Sequence, residues 1–261
     1  MTKEKKGEKI ILITNDDSIQ SPGIAALVEA VKPLGRVVVV APDKPQSGMG
    51  HAITLGSPLR LTPSNVLGDV EAYTCSGTPV DCVKIAVDKV LHGKPDLCLS
   101  GVNHGANHSI NVIYSGTMSA AMEAAIESIP SAGFSLLDYS WQADMTAAKH
   151  FIQLIVKEML AANLDKHTLL NVNIPALPLA DIKGIKICRQ AYAKYQEKFE
   201  ERKDPHGKSY YWLTGEFVNF DEGTDTDVWA LNNNYVSVVP VEFDLTHYKM
   251  KAVLEKAFNL A

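Results

Sequence analysis

Apolar and polar positions along the chain fall into a repeating order: an unbroken apolar run, a polar cluster, then apolar residues at helical spacing. Lys9 to Ser18 read K-I-I-L-I-T-N-D-D-S, an apolar run that ends in two adjacent carboxylates. A continuous run of β-branched and aliphatic residues suits a strand buried on both faces of a parallel sheet. Behind Ser21-Pro22-Gly23, the residues Ile24, Leu27, Val28, Val31 and Leu34 recur at helical spacing, and Gly35 stops that helix. Arg36 to Pro42 is a second buried strand, followed by the polar loop Asp43 to His51. Ala52 to Tyr73 alternates apolar residues with scattered Pro and Gly, as in short strands at a sheet edge. Thr78 as cap and Pro79 in the first turn open a helix through Val80, Val83, Ile85, Val87 and Val90. Pro95 to Ser100 is a third parallel-type strand that runs into the polar loop Gly101 to Thr117, and Met118 to Ser128 is strongly helix-forming. A strand near Ser131 to Leu137, a helix near Ala147 to Leu160 and a strand at Leu169 to Pro175 continue the alternation. The expected class is α/β, a doubly wound, mostly parallel sheet with helices on both faces.

From Ile185 the character changes. Lys194 to Asp227 is rich in charge and interleaves Tyr210, Tyr211, Trp212 and Phe217. A segment this long for a loop reads either as a projecting hairpin used for subunit contact or as a surface excursion of no special role. Tyr235 to Val241 reads as a strand and Leu254 ends a short terminal helix. The whole chain, 1–261, is thus expected to be one domain, with a core over about 9–185 and an extension over about 186–261.

Composition narrows the function. With 46% hydrophobic and 21% charged residues, 261 residues suffice for a sizeable core. A net charge of −5 argues against a protein that coats nucleic acid or an anionic membrane, so no stable nucleic-acid complex is expected. The N-terminal M-T-K-E-K-K-G-E-K lacks the apolar core of a signal peptide and no stretch is long enough to span a membrane, which leads to a cytoplasmic expectation. Cys75, Cys82, Cys98 and Cys188 show no C-x-x-C spacing and read as reduced, mostly buried thiols.

The chemistry gathers at one edge. Asp16 and Asp17, Ser47 and Asn103 each follow a separate predicted strand. A doubly wound sheet brings such loops together outside the carboxyl ends of its strands. Two like charges side by side call for a cation between them, although either carboxylate could instead merely cap the next helix. Carboxylate, hydroxyl and amide oxygens are hard donors that suit one Mg²⁺, Mn²⁺ or Ca²⁺ per subunit, and so few protein ligands leave positions open for water and substrate. Ser115-Gly116-Thr117 at a helix start offers backbone N–H groups, hydroxyls and the positive end of the dipole to a phosphate. Cation and phosphate cradle together point to hydrolysis of a phosphomonoester, with Asp16 and Asp17 as the catalytic pair.

Rival motifs do not fit. No G-x-x-x-x-G-K-[ST] is present, and Gly48-Met49-Gly50 is followed by Ile53 where a dinucleotide fingerprint needs Gly. His104 and His108 have the spacing of a zinc helix, but no Glu lies between them and Gly105 does. Asn107-His108-Ser109 matches a glycosylation sequon without a secretory signal. A phosphoaspartyl route through Asp16 usually wants D-x-D, and here the acids are adjacent. A non-catalytic nucleotide-binding module and a nucleoside or glycosyl hydrolase using the same acidic edge remain as other classes.

Five motifs carry a family resemblance. T-N-D-D at Thr14 to Asp17, A-P-D-x-x-x-S-G at Ala41 to Gly48, G-T-P-x-D-C at Gly77 to Cys82, S-G-V-N-x-G-A-N at Ser100 to Asn107 and Y-S-G-T at Tyr114 to Thr117 resemble the survival protein E (SurE) family of 5′/3′-nucleotidases. The resemblance implies a Rossmann-like fold and a divalent cation held by Asp16, Asp17, Ser47 and Asn103. It also implies nucleoside monophosphates as substrates, with Asn103, Ser115, Gly116 and Thr117 about the phosphate. A homodimer or homotetramer, built partly through an exchanged C-terminal segment and a hairpin, is implied as well. The chain departs from the pattern at Ser18, where the family often has Gly, and at Asn107 to Asn111, where it often has N-x-G-D-D. Asp244 and His247 in D-L-T-H resemble a C-terminal Asp and His considered catalytic in relatives, with one residue fewer between them, the other reading of His247 being a capped surface histidine. His51, after the Ser47 loop, either orients a ligand or water or only braces the loop.

Overall fold

The computed structural model describes residues 7–162 and 164–258; the charged segment Met1–Lys6 lies outside the described residues. In chain order the elements are β1 (Ile10–Thr14), α1 (Pro22–Val31), β2 (Arg36–Pro42), β3 (Leu61–Pro63), β4 (Glu71–Cys75), α2 (Pro79–Ile85), β5 (Leu97–His104), α3 (Gly116–Ile126), β6 (Ser131–Leu136) and α4 (Thr146–Ala161). There follow β7 (Leu169–Ile174), β8 (Ile185–Ile187), β9 (Ala193–Lys203), β10 (Ser209–Asn219), α5 (Asp227–Asn232), β11 (Val236–Pro240) and α6 (Tyr248–Ala257).

One sheet organises the molecule, with strand order β3-β4-β2-β1-β5-β6-β7-β11-β8. The six strands from β4 to β7 in that order are parallel. Short β3 closes one edge antiparallel to β4, and β11 lies antiparallel to β7. The unbroken apolar runs are needed because both faces are covered. Ile11 and Ile13 of β1 face a cluster with Leu27 of α1 and Ile152 of α4, whereas Leu12 faces Val83 of α2 and Ala120 and Ala124 of α3. This is the α/β architecture the periodicity predicts.

Local chemistry sets the element ends. Ser21 caps α1 by accepting from the Ile24 N–H at 3.3 Å. Thr78 and Asp81 form a reciprocal capping box at the start of α2, with the Thr78 N–H donating to Asp81 Oδ2 at 2.9 Å and the Asp81 N–H to Thr78 Oγ1 at 3.2 Å. The predicted helix through Val90 is regular only to Ile85 and finishes as a wider π turn over Ala86–Val90. Gly35 ends the first helical segment in an extended conformation (φ 172°), not a left-handed one. Glycine is required there because a Cβ would sit 2.4 Å from the Lys9 carbonyl oxygen.

Two features differ from the expectation in extent. β5 runs to His104, past Ser100, because Asn103 and His104 still pair with Ser135 and Leu136 of β6 beyond a register irregularity. Such an irregularity re-aims side chains at a strand end. β8 and β11, from the segment read as an extension, join the central sheet. The projecting hairpin is present as β9 and β10, paired antiparallel from Ala193–Asn219 to Lys203–Ser209. All four cysteines are free and buried.

Candidate active site

β1 has β2 on one side and β5 on the other, so the chain leaves β1 in one direction along the sheet and later returns to fill the other. Parallel strands part there at their carboxyl ends and leave a crevice. The polar ends of β1, β2 and β5 and the start of α3 meet around it.

The turn after β1 is braced by Asn15, whose buried Nδ2 donates to the Ser18 carbonyl and to Ser21 Oγ, both at 2.8 Å. Ser18 has φ 80°, in the left-handed region that favours glycine. That geometry accounts for the glycine often found at this position in the family pattern, and the Asn15 brace holds the serine in it.

Asp16 is 4% exposed and its Oδ1 accepts a 2.5 Å hydrogen bond from Thr117 Oγ1. Burial, with the charge of Asp17 added, pushes the Asp16 carboxyl up to about 6, against the opposing Thr117 bond. Asp17 is only partly buried, and its Oδ2 receives the His104 N–H at 3.4 Å. Burial raises its carboxyl too. Among the described residues no Lys or Arg pairs with either acid; the ion pairs of the molecule lie elsewhere. Two adjacent carboxylates destabilised in their charged form, with no basic partner, fit a cation on the open side of the pair.

The neutral donors stand at the same edge. The Gln46 N–H donates to the Asp16 carbonyl at 2.7 Å, which pins the loop one residue before exposed Ser47. Asn103 Nδ2 donates to the Gly105 carbonyl at 2.8 Å, which turns the amide and leaves Oδ1 outside that bond. Ser115 caps α3, its Oγ accepting from the Met118 N–H at 3.0 Å. Thr117 spends its hydroxyl on Asp16. What this tripeptide presents is therefore chiefly the start of an eleven-residue helix and its backbone N–H groups. Gly116 is required for contact, since a Cβ would lie 2.7 Å from Asp16 Cβ and 2.9 Å from its Oδ2.

Other residues singled out in the sequence act differently. His51 is engaged with α3, its Nε2 2.9 Å from Glu123 Oε2. Lys84 Nζ lies 2.5 Å from the other oxygen of the same buried carboxylate. His51 thus braces the Ser47 loop against α3. His104 and His108 diverge, one ring stacked on Trp141 and the other edge-on to Phe217. Among the described residues no three His, Cys, Asp or Glu side chains group together. The Asp16–Asp17 centre has only two carboxylates, and its further donors are hydroxyl and amide. Asp244 accepts from the Tyr248 hydroxyl and the Thr246 N–H, while His247 Nδ1 accepts from the Met250 N–H at 3.0 Å. Both are exposed, and His247 is the N-cap of α6, while Asp244 braces the turn before it.

Sequence reasoning missed several supports. Asn107 is fixed on three sides: its N–H donates to Asn173 Oδ1, its Nδ2 to Ser135 Oγ, and its carbonyl accepts from Asn171 Nδ2, each at 2.8 Å. Asp227, 1% exposed, accepts from the Ser109 N–H at 2.7 Å and so ties the Gly101–Thr117 loop to the base of the hairpin. A signal existed for Glu123, the lone early acid in the close-packing run M-S-A-A-M-E-A-A.

A family model described as Survival protein SurE matches residues 11–197. The chain belongs to the SurE family. It is 60% identical over 246 residues to a protein of Flavobacterium psychrophilum named 5′-nucleotidase SurE, covering 94% of this chain and 96% of that one. It is 58% identical over 257 residues to a protein of the same name from Christiangramia forsetii, covering 97% and 99%. The crystal structure of the SurE protein from Aquifex aeolicus superposes with a TM-score of 0.83 at 43% identity, covering 95% of this chain and 99% of that one. The SurE model spans β1, β2, β5 and the start of α3, the four elements that build the crevice. No described helix is long and apolar enough to cross a membrane.

Proposed function

We propose that this SurE protein is a 5′-nucleotidase that hydrolyses nucleoside monophosphates to nucleoside and phosphate with one divalent cation, Mg²⁺, Mn²⁺ or Ca²⁺. The observation that carries the reading is the Asp16–Asp17 pair, raised by burial, without a basic partner among the described residues, and hydrogen-bonded to the first turn of α3 through Thr117. The names of the Flavobacterium and Christiangramia relatives support the substrate class. A cation held there would polarise the phosphoryl oxygens and lower the pKa of a coordinated water. Asp16 and Asp17 are its anionic ligands, and Ser47 and Asn103 supply neutral oxygens. The start of α3, Ser115 to Thr117, holds the phosphate by backbone N–H groups and dipole. Thr117 fixes the rotamer of Asp16, so the carboxylate is aimed before substrate arrives. 3′-Nucleotides are a second substrate group on this reading.

A homodimer or homotetramer belongs to the same proposal. The hairpin exposes Phe199, Tyr211, Trp212 and Leu213, and α6 has no buried residue, so both offer apolar surface to another copy.

The test is phosphate release from a panel of 5′- and 3′-nucleoside monophosphates after EDTA stripping and after adding back Mn²⁺ or Mg²⁺. Release that vanishes and returns with the ion is the expected result. Release indifferent to EDTA would remove the cation, and nucleotide binding without release would leave a binding module.

A further inference from the structure

The nucleotidase reading accounts for the phosphate end of the substrate and leaves the base unplaced. A set of aromatic rings with no structural need to face solvent begins beside His104, the partner of Asp17. The loop after β6 carries Tyr139 and Trp141, and β6 pairs directly with β5, so this loop rises at the same sheet edge as the carboxylates. His104, whose N–H meets Asp17 Oδ2, turns its ring onto Trp141 at a centroid distance of 5.4 Å and an interplanar angle of 23°. The ring is locked because Nδ1 lies 2.8 Å from the Ser140 carbonyl, which can only accept and so sets Nδ1 as the donor.

The loop is rigid on its own account. The Ser140 N–H donates to Asp138 Oδ1 at 2.8 Å, and the Gln142 N–H donates to Ser140 Oγ at 3.2 Å. Tyr139 lies directly on Gly105, where a Cβ would come within 2.3 Å of its ring, and Gly105 also needs its positive φ of 108°. Despite this close seating, Trp141 is 48% and Tyr139 75% exposed. Large rings fixed by hydrogen bonds and packing yet left facing water are costly for stability alone and suited to stacking a flat ligand.

We infer that the nucleobase of the substrate stacks on Trp141, backed by the His104 ring and edged by Tyr139. This inference rests on the nucleotidase reading above. Stacking tolerates any base, because each has a π face, and it grows with ring area. The wall therefore selects nucleoside phosphates over phosphorylated sugars, and purines over pyrimidines, without a hydrogen-bond code.

The experiment compares kcat/KM for adenosine 5′-monophosphate and for ribose 5-phosphate, which lacks a base, in the full-length protein and in Trp141→Ala and Trp141→Phe. The half-exposed position spares the core. The preference for the nucleotide is expected to fall about tenfold in Trp141→Ala, through KM, and to survive largely in Trp141→Phe. An unchanged preference in Trp141→Ala, including equal loss on both substrates, overturns the wall. If the unaltered protein hydrolyses neither compound, the nucleotidase reading fails separately. Calorimetric binding of adenosine 5′-monophosphate then decides the wall: weaker binding by Trp141→Ala supports it, and equal or absent binding overturns it.

Discussion

The 2.5 Å hydrogen bond from Thr117 Oγ1 to Asp16 Oδ1 joins the first turn of one helix to the end of the central strand, 101 residues apart in sequence. It stabilises the charged form of a carboxylate that burial and Asp17 otherwise disfavour. The two opposing effects leave Asp16 near 6, against an ordinary 3.8. Below pH 3.8 both folded and unfolded chains hold the proton and the site is neutral for stability. As pH rises through 6 the unfolded chain has already released it, and the folded, metal-free protein is forced to ionise a buried group. The cost at neutral pH is about 3 kcal/mol. Asp16→Asn should therefore raise the melting temperature of the EDTA-treated protein at about pH 7.5, with the gain vanishing near pH 4. The same change should lower nucleotidase activity by several orders of magnitude. Calorimetric melts across pH, beside a phosphate-release assay, check both; an unchanged or lowered melting temperature above neutrality would contradict the linkage.

Gly116 allows that helix to approach. An added methyl would sit 2.7 Å from Asp16 Cβ, inside any real contact. Alanine suits a helix start well enough that folding should survive. Gly116→Ala is expected to push Asp16 off its Thr117 bond and to reduce kcat/KM by about a hundredfold, because displacements near 1 Å at a reacting centre cost that much. A variant with normal activity would show that the contact is not needed for catalysis.

Much of this arrangement is written locally in the chain. β1 is legible because its residues are apolar on both faces, and α2 and α3 because Thr78-Pro79 and Ser115 mark their first turns. The strand ends that carry Asp16, Ser47 and Asn103 are legible from strand–helix alternation alone, although Asn103 stands on β5 itself and not on a loop after it. The hidden part is decided by partners far along the chain. Nothing near His51 says that it pairs with Glu123, 72 residues on. Asp227 finds Ser109 across 118 positions, and Asn107 finds Asn173 across 66. The end of β5 is obscured for another reason: residues 101–104 are mostly glycine and polar side chains, yet the strand continues because β6 pairs with it.

The His51–Glu123–Lys84 cluster yields a further expectation. Glu123 is nearly enclosed, while Lys84 and His51 remain 45% and 32% exposed, so screening limits the strength of their pairing. Burial raises the Glu123 carboxyl, but the bonds from His51 and Lys84 outweigh it and hold the group below its ordinary 4.5. Its stabilising effect is present above that value and is lost as pH falls through the lowered one. Glu123→Gln should cost roughly 1–2 kcal/mol at neutral pH, less at about pH 4, and should loosen the loop that carries Ser47. The kinetic signature is a higher Mn²⁺ concentration for half-maximal activity with a smaller change in kcat. Metal titrations that superpose on those of the unaltered protein would separate the cluster from the site.

The hairpin makes the last prediction. On one face of β9 and β10, Tyr195 pairs with Phe217, Phe199 with Leu213 and Glu201 with Tyr211. At its base this face packs Phe217 against His108, so the base is part of the loop that leads to α3. Further out, Phe199 and Leu213 are 67% and 58% exposed, an apolar pair that a lone two-stranded ribbon gains nothing by showing to water. If the ribbon is a subunit contact, Phe199→Ser with Leu213→Ser should lower the sedimentation coefficient toward that of a 28.4 kDa monomer. Activity should fall less than assembly, because the Tyr195–Phe217 packing against His108 is retained. Sedimentation velocity of the double variant reads the first and phosphate release the second. An unchanged sedimentation coefficient would assign the exposed pair to some purpose other than self-association.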